Sequence, residues 1–357
     1  MSVAVRVVLS VLLSAPIALA EPAQAGTTIF KASSDGGPPA GAAKQPAKPQ
    51  YVIISFDGAH DMAQWRRSRA LAQKTGARFT YFLSCVFLLS KDKRRDYQAP
   101  GEAAGRSAVG FAQTKAEVAE RLGQIRLAAD EGHEIASHAC GHFDGKGWSK
   151  ADWLKEFDAF KRIMAGAYAF NGLDGEPADW KSFAQTAVTG FRAPYLSTGP
   201  ALYEALREAG LHYDASAVSR GPVEPAAQGG IDRFSLPQIP EGPNARRIIA
   251  MDYNLFVRHS GGLERPDGAA AFQARSYEAF KAAFDAQYRG ERIPLQLGFH
   301  FTLMNGGAYW GALEQFADDV CGKADVVCTS YADYLKRTDA DASDTATGEI
   351  GASSAGG

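Results

Sequence analysis

The stretch His133–Asp144, HEIASHACGHFD, constrains this chain most. It sets His138 and His142 four residues apart, directly after a short apolar run, Glu134 to Ser137, that reads as a strand. Imidazole is the commonest protein ligand for zinc and similar metals. Two at this spacing, on a loop or the first turn of a helix, reach one ion. The chain has only seven histidines, so a chance pairing behind a strand is uncommon. Two unrelated surface histidines are the plain alternative, and the rest of the chain has to decide.

The strongest strand signals are continuous apolar runs. Tyr51–Phe56, YVIISF, has the β-branched and aromatic character of a strand buried on both faces of a parallel sheet, and it ends in Asp57-Gly58. Arg78–Leu83, Leu211–Ser216, Leu295–His300 and Val326–Thr329 read the same way, and Thr189–Tyr195 as a strand running into a turn. Between them lie helical stretches: Asp61–Lys74 closed by Gly76, Thr114–Glu131 opened by a capping box, Ser149–Ala169, Pro200–Ala209, Ala270–Tyr288 and Tyr309–Val320. Lys91–Val109 reads as a long surface loop, Asn171–Phe183 as irregular, residues 219–246 as mostly loop, and Arg247–Val257 as a strand. Alternating strands and helices argue for an α/β fold with a parallel sheet in a single domain. Asp57, His138, Arg192 and His300 then all fall at carboxyl ends of strands, the end that carries the site in parallel α/β barrels.

The chain has 357 residues, 46% of them hydrophobic, which suffices for one large domain. A net charge of −2 gives no basic field for nucleic acid. Residues 1–25 have the form of a secretory signal, with Arg6, a short apolar core and two A-x-A sites; the core is shorter than a membrane span and is broken by Ser14 and Pro16. The expectation is export to periplasm or medium, with no membrane span after cleavage. Residues 26–50 read as a flexible leader, 51–337 as the domain and 338–357 as a disordered tail. Export permits disulfides among the four cysteines. Cys321 with Cys328 would close a small loop and leave Cys85 for Cys140, although sequence alone allows three pairings.

Together these stretches resemble the polysaccharide deacetylase family, the NodB-homology domain of carbohydrate esterase family 4. GHEIASHACGH resembles the family's second motif, Arg192-Ala193-Pro194-Tyr195 its third, and Leu297-Gly298-Phe299-His300 its fifth. The resemblance implies a distorted (β/α) barrel of about seven parallel strands and hydrolysis of N-acetyl or O-acetyl groups on a carbohydrate polymer with a bound divalent metal, usually Zn2+. It implies metal ligation by His138 and His142, Asp57 as catalytic base, Arg192 orienting that base, His300 as general acid and Asp252 orienting His300. It also implies that the Tyr195 backbone N–H helps hold the oxyanion. Trp148, Tyr195, Tyr309 and Trp310 are candidate sugar-stacking residues, and the glycines of Met304–Trp310 suggest a flexible or tight loop beside the substrate.

The first motif departs from the family. Its usual form is T-F-D-D-G, whereas this chain reads Ser55-Phe56-Asp57-Gly58-Ala59, with glycine where the metal carboxylate should stand. Three arrangements follow: the metal is held by two histidines and water, or Asp57 binds it as well as or instead of acting as base, or His60 or Asp61 reaches in as the third ligand. The two rival expectations are an impaired glycan-binding protein of the same fold and a glycoside hydrolase using Asp57 and Asp252.

Overall fold

The chain is described as a computed structural model over residues 48–340. The signal segment, nearly all of the leader and residues 341–357 of the tail lie outside these residues. In chain order the elements are β1 (Gln50–Gly58), α1 (Met62–Thr75), β2 (Thr80–Leu83), α2 (Lys115–Asp130), β3 (Glu134–Ser137), α3 (Lys150–Asn171), α4 (Trp180–Thr186) and β4 (Gly190–Phe191). They continue with α5 (Pro200–Glu208), β5 (Tyr213–Ser219), β6 (Ala226–Gln228), β7 (Ile231–Glu241), β8 (Arg246–Ile249), α6 (Asp252–Ser260), α7 (Ala269–Arg289), β9 (Leu295–His300), α8 (Ala308–Val320) and β10 (Val326–Thr329). Residues 331–340 are helical, so the helix includes the first residues of the stretch read as tail.

β1 shows why the sheet curls. Its residues alternate between two cores. Tyr51 and Ile53 join Phe82, Tyr213, Phe234 and Tyr331 in an aromatic interior cluster. Val52, Ile54 and Phe56 pack outward with Trp65, Trp310 and Phe316 of the helical layer. Burying a side chain the size of Phe56 is worth roughly 2–3 kcal/mol. Both faces of β1 are therefore spent on packing, and its polar residues are few and placed.

Strand pairing then sets the site. β1 lies parallel to β9, with Asp57 directly opposite His300, and parallel to β2, with Asp57 opposite Phe82 on the other side. β2 pairs with β3, and Ser137 of β3 pairs with Phe191 of β4, which brings His138 and Arg192 side by side one residue later. β4, β5 and β7 continue the parallel order. A bridge between Met251 and Gly298 returns the chain to β9. The result is a curled, mostly parallel sheet with helices outside, a distorted barrel.

Three stretches differ from their sequence reading. Residues 219–246 are not mostly loop: β7 runs eleven residues through Pro237 and Pro240. Those prolines fall where β7 leaves β5 and takes up β8, so a strand broken between two partners carries the loop composition. Arg247–Val257 is not one strand; β8 ends at Ile249 and α6 begins at Asp252. Its apolar run satisfies either period, and the left-handed Gly261 closes it as a helix. The tract read as irregular contains the start of the short helix α4, anchored by the buried Trp180, whose indole N–H donates to the Met164 carbonyl.

The disulfides join Cys85 to Cys140 and Cys321 to Cys328.

Candidate active site

Asp57 ends the inward row of β1 and is almost fully buried. Its Oδ1 accepts a hydrogen bond from Arg192 Nη1 at 2.8 Å. Arg192 has no exposure at all; three more of its N–H groups donate to Ser55 Oγ, the Ala215 carbonyl and Tyr331 Oη, and its guanidinium lies 4.4 Å from the Phe82 ring centroid. Burial pushes the Asp57 carboxyl up, but the Arg192 guanidinium, with its hydrogen bond, and His300 outweigh it and the net shift is downward. Asp57 is held ionised.

His300, opposite Asp57, behaves in the other direction. Its Nδ1–H donates to Asp252 Oδ1 at 2.7 Å, and its backbone N–H to Asp252 Oδ2 at 2.8 Å. Asp252 reaches it from the first turn of α6, not from a strand. Burial disfavours the imidazolium, yet the Asp252 carboxylate more than offsets this and raises the His300 pKa. A carboxylate pushed down and an imidazole pushed up share one wall, the pattern of a base and an acid held ready at the same pH.

His138 and His142 complete the group, with ring centroids 4.9 Å apart. The carbonyl of Arg192 accepts from His138 Nδ1–H at 2.8 Å, which fixes the tautomer and leaves Nε2 bare. Burial keeps both imidazoles neutral, with His138 pushed down to about 3. Asp57, His138, His142, Tyr195 and His300 all line one cavity of about 570 Å3, whose other walls include Val109, Leu196, Ile249 and Met251.

The rim is less as sequence suggests. Tyr195 is 63% exposed, with left-handed backbone (φ +56°) and its ring 5.1 Å from His142. Trp310 and Tyr309 are not rim residues: each is 1% exposed. Trp310 stacks on Phe56 and its indole N–H donates to the His300 carbonyl, so it supports the strand end from the outer layer and presents no face to a sugar. Asn305, Gly306 and Gly307 are all left-handed and make a tight turn tied by the Asn305 side chain. The exposed ring that sequence reasoning passes over is Tyr253, beside Asp252. It lies 6.2 Å from the His300 ring and borders both the site cavity and an adjoining hollow of about 640 Å3 along α6. Reading Arg247–Val257 as a strand hid it.

No family model matches this sequence, and no curated protein matches it. Solved structures do. A Mycobacterium smegmatis protein assigned as a polysaccharide deacetylase aligns over 85% of this chain and 95% of its own, with a TM-score of 0.50 at 18% identity. The fold is that of the polysaccharide deacetylases. A Pseudomonas aeruginosa protein assigned to the same group aligns over 81% of this chain and 91% of its own (TM-score 0.47, 15% identity). A carbohydrate esterase family 4 pseudoenzyme from Bacillus anthracis aligns over 81% and 66% (TM-score 0.42, 11% identity).

Within this deacetylase fold the donors for a metal are two imidazoles. Both are neutral, one offers a bare Nε2, and His142 Nδ1 is a buried nitrogen with no hydrogen-bond partner. That chemistry suits a divalent ion. Among the described residues no three His, Cys, Asp or Glu side chains are grouped to hold one. Asp57 has one oxygen committed to Arg192, and Asp61 caps α1 by accepting the Gln64 N–H. His60 stacks on Phe87. At Gly58 an added Cβ would meet only His60 Nδ1, at 3.9 Å, but its φ of +84° is one that L-residues rarely adopt. The glycine thus fits the backbone that follows Asp57, and the pair His138–His142 stands without the extra carboxylate.

Proposed function

We propose that this protein is a metal-dependent hydrolase that removes acetyl groups, N-linked or O-linked, from a carbohydrate polymer. The observation that carries the reading is the opposed pair on one cavity wall, Asp57 held ionised by Arg192 and His300 with its pKa raised by Asp252. Asp57 takes a proton from the attacking water. Arg192 keeps it ionised and fixed. His300 then delivers a proton to the departing amine or alkoxide. The backbone N–H of Tyr195 holds the developing oxyanion, a contribution worth roughly 3 kcal/mol for one donor. His138 and His142 would hold the metal, taken as Zn2+, which would supply polarisation of the acetyl carbonyl and a lowered pKa for a bound water. Two disulfides, which persist in oxidising compartments, support export.

The impaired reading has one specific support, the absence of a third donor among the described residues together with Gly58. The glycoside hydrolase reading loses its second carboxylate, because Asp252 is fully buried and occupied with His300. Mass analysis of acetylated chitin and xylan oligomers after incubation separates the three. The deacetylase reading expects loss of acetyl mass at unchanged chain length, and a drop of about a hundredfold or more in Asp57→Asn. Shortened chains point to glycosidic cleavage, and unchanged oligomers that still bind point to the impaired protein.

A further inference from the structure

The loop carrying the two histidines is not relaxed. Ala139 and His142 both have left-handed backbone (φ +57°), which costs non-glycine residues energy and persists only where the surroundings hold it. Several contacts do so. Cys140, midway between the histidines, is tied by its disulfide to Cys85. The Ala139 carbonyl accepts the Cys85 N–H, and the Gly141 carbonyl accepts the Ala108 N–H. Two of the loop's donors, the N–H groups of Cys140 and Gly141, converge on one atom, Glu156 Oε1, at 2.8 and 3.1 Å.

Glu156 sits on α3 with no exposure. Tyr97 Oη donates to both its oxygens, at 2.9 and 3.0 Å. These partners are two amides and a phenol, with no cation among them. A carboxylate buried among neutral donors is expensive, and helix packing alone would be better served by leucine. What leucine lacks is an acceptor for two loop amides at once. The fit leaves no slack, since a Cβ on Gly141 would lie 2.4 Å from Tyr97 Oη.

We propose that Glu156 is a positioning residue: it fixes the His138–His142 loop in the strained form that turns both imidazoles onto the cavity, with Tyr97 aligning the carboxylate. The inference rests on the deacetylase reading for its purpose, but its physical content, the geometry of the loop, is tested separately. Four forms of the full chain are compared: wild type, Glu156→Gln, Glu156→Leu and Ile163→Ala, the last a buried α3 residue outside this hydrogen-bond network. Zn2+ affinity is measured by competition with a chromophoric chelator, and amide hydrogen exchange is followed at Cys140 and Gly141. The leucine variant is expected to bind Zn2+ roughly tenfold or more weakly, the usual cost of losing a group that orients a ligand, and to exchange both amides faster. The glutamine variant keeps an acceptor oxygen and is expected to stay close to wild type in both. Ile163→Ala is expected to lower thermal stability and to leave both readouts unchanged. If the leucine variant does not fold, Tyr97→Phe takes its place, with a smaller loss in the same direction. Unchanged affinity and exchange in Glu156→Leu or its substitute overturn the inference, as does an equal loss in Ile163→Ala. A wild type that binds no Zn2+ refutes the metal reading instead, and the exchange measurement still decides the role of Glu156.

Discussion

Asp57 and His300 are register partners on neighbouring strands, and what separates their chemistry is one further residue each. Arg192 makes the first a stable anion; Asp252 makes the second a ready cation. Under the proposed mechanism the alkaline limb of kcat/KM reports His300 losing its proton. Asp252→Asn keeps an oxygen for the His300 Nδ1–H but removes the charge that raises its pKa. The alkaline limb is expected to move to lower pH by roughly one unit, measured on acetate release from chitin oligomers. A limb that stays in place would mean that another group sets it. Most residues of this site are legible in the sequence, because each stands at the end of an apolar run or inside a short motif. Glu156 is not. It lies on an amphipathic helix, where a glutamate is expected to face water, and only the folded loop reveals that it faces inward.

At the scale of elements, legibility follows how completely a segment's pattern is set by its own neighbours. β9 and β10 begin and end where their runs do, and α1 starts at its Asp61 cap and stops at Gly76. β7 and α6 were hidden because proline density and an apolar run each fit two structures, and pairing decided between them. The joint between β2 and β3 offers a test of burial at this scale. His133, just before β3, is 6% exposed and its Nδ1 accepts the Phe79 N–H at 3.0 Å. Burial pushes its pKa down to about 4. The unfolded chain therefore takes up this proton first, and stability is lost as pH falls from the ordinary histidine value toward 4. The change over that window is up to roughly 3 kcal/mol. His133→Gln keeps an acceptor for Phe79 without titrating. Urea unfolding at pH 7 and pH 5 is expected to show a smaller loss on acidification in the variant; equal losses would remove His133 from the account.

At the scale of the whole molecule, the barrel places its chemistry by alternation. The inward row of β1 begins with Tyr51 and Ile53 in an aromatic interior and ends with Ser55 and Asp57 on Arg192. The outward row locks the same strand to the helices through Phe56 and Trp310. That division explains why an α/β barrel was legible from runs and motifs, while the role of Trp310 was not: residue order does not say which layer the start of α8 faces. It also leaves one feature without a counterpart in the family's pattern, a glycine, Gly58, directly after Asp57. The most direct test is metal content and acetate release on the same purified samples of wild type and His138→Ala, using acetylated chitin oligomers and an O-acetyl ester. The account predicts about one divalent ion per wild-type chain with release of acetate, and neither in the variant. A wild type that holds no metal and frees no acetate from either substrate would contradict it.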